Sequence, residues 1–184
     1  MSDPSWMSER PWRDSNPGDL RPLPPALGTW YGQTGIDHSS TAGDYVIFVT
    51  RADGWRALAM NLLAYQDHHG INTLAGIAER WAPSADNNNT EAYIRALCAF
   101  TGYGRDQVLD LHIVTVLASV ALAVSKQEAG SAVQWPADER TSGVMMAIYG
   151  GTQPTHAQPG PAPAPQQTAD ELNAAELQQL GTTA

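Results

Sequence analysis

"LHIVTVLASVALAVSKQEAG", Leu111 to Gly130, is the stretch on which the fold turns. Its apolar part, Leu111 to Val124, is shorter than the roughly 20 residues that cross a bilayer, and His112 and Lys126 stand near its two ends. The spacing predicts a helix over about His112 to Glu128, buried inside a globular domain, with no membrane span. Such a helix leaves one residue unexplained. Glu128 lies in the last turn, where the negative end of the helix macrodipole opposes a carboxylate by about 0.3–1 kcal/mol. Local electrostatics did not select it.

Working outward, the next helix is announced by Pro136 at a first-turn position, carries Asp138 and Glu139 near its positive end and stops at Gly150 and Gly151. Upstream, Asn89 or Thr90 can cap a helix that carries Tyr93, Ile94, Leu97 and Cys98 and ends at Gly102. A shorter one runs from about Thr73 to Trp81, where Pro83 forbids continuation. Trp55, Leu58, Ala59, Leu62, Leu63 and Tyr65 recur at helical spacing before Gly70, with Asp53 as the expected N-cap. "DYVIFVT", Asp44 to Thr50, reads as a strand paired with "GTWYGQ", Gly28 to Gln33, in a small hairpin. The fold class is therefore mainly α (α+β), a helical domain with a small β-hairpin and an extended C-terminal arm.

The domain plan follows from composition. Residues 1–25, rich in Pro, Ser and Trp, form an irregular N-terminal segment, and 26–151 form the domain on which the turn at 13–21 packs. Residues 152–167 are a Pro-rich linker, and 168–184 carry capping-box spacing at Thr168 and Glu171 for a short terminal helix. With 184 residues, 42% of them hydrophobic, the chain suffices for one core plus a tail.

Charge narrows the function classes. The net charge of -9, with only ten Lys and Arg, argues against nucleic acid as a partner, because that binding draws on clustered cations. Cys98 stands alone, so there is no disulfide framework and no CxxC metal site. "DHH", Asp67 to His69, offers candidate metal ligands, but adjacent helical residues point about 100° apart, and a polar helix end is the better reading. No metal and no cofactor are expected. "MSDPSWMSERPW" lacks a basic and then apolar leader, which implies synthesis in a cytoplasm. The chain contains no GxSxG, P-loop, HExxH or GxGxxG motif.

"RDSNPGDLR", "DYVIF", "GWRALAMNLLAYQ", "NTLAGIAERWAP", "DNNNTEAYI", "KQEAG" and "WPADERTSGVMMAIYGG", in this order, resemble a family of phage-encoded virion proteins. Those proteins read R-x-x-N-P-G-N-[IL]-R near the start and are described as structural or as peptidoglycan-degrading, transglycosylase-like. The resemblance covers roughly Arg13 to Gly150. It implies a protein made in the host cytoplasm and assembled into the virion, with peptidoglycan as substrate and other virion proteins as partners through the C-terminal arm. One position departs from the pattern: Asp19 stands where the family has Asn.

The same motifs are similar, more remotely, to the lysozyme and glucosaminidase superfamily, in which a glutamate ends a buried helix and is followed by a turn, an aromatic strand and helices lining a groove. Here the glutamate helix comes last, as in a circular permutation. The resemblance makes Glu128 the catalytic acid: in a groove lined by aromatic residues its pKa rises and it can protonate a glycosidic oxygen. The other reading leaves it a solvated residue in a frayed last turn. Asp37 and Asp44, around the hairpin, are the candidate second carboxylates, or turn residues. Asn16, Trp81, Asn88 and Tyr93 are the candidate substrate-binding residues, set against turn, cap and core roles for the same side chains.

Overall fold

The computed structural model describes residues 4–84 and 88–150. Thr50 opens its longest helix, α2 (Arg51–His69), by accepting from the Asp53 amide at 3.1 Å while its hydroxyl donates to the Asp53 carboxylate at 2.6 Å. The cap thus lies three residues before the one expected: Asp53 belongs to the first turn, and the reciprocal pair satisfies donors that a lone Asp53 cap would have left open. Gly70 ends the helix in a left-handed conformation. α2 buries eleven of its nineteen residues, including Trp55, Leu58, Leu62 and Tyr65, and shares the centre of the fold with α5 (Val114–Glu128). The apolar run from Leu111 is therefore one of two central helices.

Four further helices complete the fold. They are α1 (Arg10–Arg13), α3 (Leu74–Trp81), α4 (Thr90–Thr101) and α6 (Ala137–Tyr149). Thr73 caps α3 and Asn89 caps α4, each accepting from an amide one turn on. α6 lies close along α2 because Gly143 has no side chain: a Cβ there would come 2.5 Å from the Ala52 carbonyl oxygen and from the Trp55 Cβ. The architecture is mainly helical α+β, with one two-stranded antiparallel sheet among the described residues.

That sheet pairs β1 (Gln33–Asp37) with β2 (Tyr45–Phe48), Gln33 opposite Phe48 and Asp37 opposite Tyr45. The partner strand begins where the sequence reading ends it. Gly28 and Gly32 both take positive φ, which breaks the extended run. Trp30 between them is a core anchor, its indole donating to the Arg21 carbonyl at 2.9 Å.

The N-terminal segment is more ordered than irregular chain. It holds a 3-10 turn (Ser5–Ser8), α1, and a tight turn at Asn16 to Asp19. The turn rests on α2 at Gly54, where a Cβ would meet the Ser15 carbonyl oxygen at 1.9 Å. The linker and terminal helix expected over 152–167 and 168–184 lie outside the described residues.

Candidate acid centre at the end of the fifth helix

Glu128 is the last residue of α5, and its side chain turns inward: the residue is only 7% exposed. The Tyr93 hydroxyl, carried in by α4, donates to Glu128 Oε1 at 2.8 Å. Trp81, from the end of α3, closes the same space, with the Tyr65 ring of α2 set edge-on to it at 6.1 Å. Burial pushes the carboxyl up to about 8; the donors of Tyr93 and Trp81 and the charge of Arg10 pull it down, and the charge of Asp19 pushes it further up. Desolvation dominates. Burial and the neighbouring Glu128 hold the Tyr93 hydroxyl well above its ordinary range, so it remains a donor. Near neutrality the centre is a protonated carboxylic acid fixed by a phenol.

The Asn16 turn reaches this centre through charge. Asp19 is fully buried and binds Arg10 through both carboxylate oxygens, the Nε to Oδ1 bond being 3.1 Å and Nη2 meeting Oδ2. The guanidinium also lies 3.6 Å from the centroid of the buried Tyr45 ring. This ion pair carries the N-terminal segment's influence on Glu128. A signal was available in the opposite charges of Arg10 and Asp19 on the two sides of a tight turn.

The remaining candidates have other engagements. Asn16 donates to the Leu20 and Val46 carbonyls, both at 2.9 Å, and accepts from the Leu20 amide at 2.8 Å, which occupies its amide with backbone. Trp81 and Tyr93 are 2% and 4% exposed, so neither ring offers an open stacking face. Asn88 donates to the Pro83 carbonyl and lines a cavity of about 490 Å³ with Glu79, Ser84 and Thr90. Asp44 stands in solvent against His38 at 2.7 Å. Asp37 is held well below the usual carboxylate range, first by hydrogen bonds from Ser39 and also by Asp14 and by Arg13 at 2.5 Å. Its neighbour Asp14 is pushed up to about 6, chiefly by burial.

No protein-family model matches the chain. Over 138 residues it is 30% identical to Protein P5 of Pseudoalteromonas phage PM2, an alignment covering 75% of this chain and 81% of that protein. The chain belongs to the Protein P5 family. Within this P5-family fold, no group of three or more His, Cys, Asp and Glu among the described residues is placed to hold a metal. His68 and His69 sit at the polar end of α2. No helix among the described residues is long and apolar enough to cross a membrane.

Proposed function

We propose that this P5-family protein is a component of the phage particle and that Glu128 is the general acid of a peptidoglycan-cleaving centre within it, of the lysozyme or lytic-transglycosylase kind. One observation carries the reading: a buried carboxyl, pushed up to about 8 and held by the Tyr93 hydroxyl, is protonated when a glycosidic oxygen needs a proton. The chemistry that fits is single-acid. Asp37 is ionised and tied to Arg13, and Asp44 is paired in solvent, so neither is poised as a free nucleophile or base, whereas transglycosylation can use the substrate's own hydroxyl. Particle neighbours and peptidoglycan are the partners this reading requires.

A second reading keeps the particle role without the chemistry. The enclosure of Glu128 and the occupied amide of Asn16 favour it, since both fit a buried polar core. Glu128→Gln separates the two. It keeps shape and hydrogen-bonding capacity while removing the transferable proton, and it is expected to lower release of soluble muropeptides from purified walls by about 10²–10⁴-fold. Anhydro ends would identify a transglycosylase and reducing ends a hydrolase. Equal release by wild type and variant removes Glu128 from the mechanism, and no release by the wild type leaves the inert particle protein.

A further inference from the structure

Arg56 is the one basic residue among the described residues that is buried, at 7% exposure, and no described carboxylate lies within ion-pair distance of it. Two other arginines of the fold show the ordinary arrangement: Arg10 holds Asp19, and Arg51 holds Glu139 at 2.6 Å. The Tyr31 ring lies beside Arg56, its centroid 4.8 Å from the Arg56 Cζ. Its guanidinium makes no hydrogen bond to any described residue, and its nitrogens are not among the fully shielded polar atoms, so they reach the surface. A guanidinium enclosed to this extent is partly desolvated, and such groups are normally paired. Burial lowers its pKa, as expected of a cation lacking a close anion.

The surroundings define what would fit. Arg56 lies in the second turn of α2. Tyr31 is 44% exposed, and the neighbouring Gly32 accepts from the amide of Val49, itself 66% exposed. Asp53, one turn back on α2, already supplies a negative charge at longer range. Of the anions, a monoanion adds less repulsion toward Asp53 than a phosphate dianion does. A planar guanidinium edge also matches the two oxygens of a carboxylate.

We propose that Arg56 and Tyr31 form a binding site for a carboxylate group, the guanidinium edge taking the two oxygens and the phenol ring covering the face of the pair. Tyrosine and arginine are also among the residues that dominate binding energy at protein interfaces. The site shares no residue with the Glu128 centre, so its test is independent of the catalytic reading.

The test uses the full chain with labelled arginine and labelled tyrosine rings, titrated at constant ionic strength with sodium acetate, with sodium chloride as control and inorganic phosphate as competitor. The Arg56 Nε–H resonance, assigned by its loss in Arg56→Met, should shift saturably with acetate and not with chloride, and the Tyr31 ring signals should move with it. Arg56→Lys, which keeps the charge and loses the fork, should weaken the acetate response of the Tyr31 ring about tenfold, and Arg56→Met should abolish it. Wild-type signals that follow acetate no more than chloride would overturn the site. So would an acetate response of Tyr31 that survives in Arg56→Met, and phosphate binding as tight as acetate would overturn the choice of a monoanion.

Discussion

At the scale of the residue, Glu128 couples protonation to stability. Its ordinary pKa of 4.5 is raised to about 8 in the folded protein, so the folded state holds its proton where the unfolded chain has released it. The sign follows: no penalty exists below about pH 4.5, stability falls as pH rises through the window from 4.5 to 8, and the full loss, on the order of 3–5 kcal/mol, is reached above it. Asp14, pushed up to about 6, adds a slope of the same sign lower down. Urea unfolding followed from pH 5 to 9 should therefore show declining stability in the wild type and a flatter upper half in Glu128→Gln. Identical profiles would mean that the carboxyl is not desolvated. Tyr93→Phe removes the donor that favours the ionised form, and carbon-detected titration of Glu128 should move further upward in that variant.

At the scale of the element, two glycines decide how closely α2 is approached. Gly54→Ala would drive a methyl group into the Ser15 carbonyl oxygen, and Gly143→Ala into the Ala52 carbonyl and the Trp55 Cβ. Neither obstacle is a flexible side-chain end, so each substitution is expected to cost roughly 2–3 kcal/mol or more, read as a lowered urea midpoint. At Gly70 nothing lies within 4 Å of the added Cβ, and the cost is only that of a left-handed backbone, about 1–2 kcal/mol. Thr50→Ala tests the corrected helix start: loss of the reciprocal cap should destabilise by about 1 kcal/mol, while a neutral result would return the cap to Asp53.

At the scale of the whole molecule, the N-terminal turn and the end of α5 are one electrostatic unit. Asp19 and Arg10 act on Glu128 with opposite signs, so Asp19→Asn removes the charge that raises the carboxyl and leaves the one that lowers it. The Glu128 titration should then shift downward by a measurable fraction of a pH unit, and an unshifted titration would show that the turn and the helix end are electrically separate. The same substitution leaves Arg10 without its buried counter-ion, so a lower unfolding temperature is expected alongside the shift.

The amino-acid sequence by itself determined the helices from Trp55 onward, because their caps and stops at Thr73, Asn89, Gly102 and Pro136 act within one turn of the chain and apolar spacing acts within two. It also singled out Glu128, as a charge its own helix disfavours. The start of α2 was misread by three residues, since Thr50 and Asp53 are both good caps and only their reciprocal bonding distinguishes them. The first strand was displaced because Trp30 has strand propensity yet is drawn into the core. Tertiary structure alone decided the site. It placed Tyr93 on Glu128, 35 positions away, brought the Arg10–Asp19 pair into range, fastened Asn16 to backbone and buried Arg56 with no described carboxylate in ion-pair range. Desolvation and charge pairing depend on which distant segments meet, and no local pattern in the chain records that meeting.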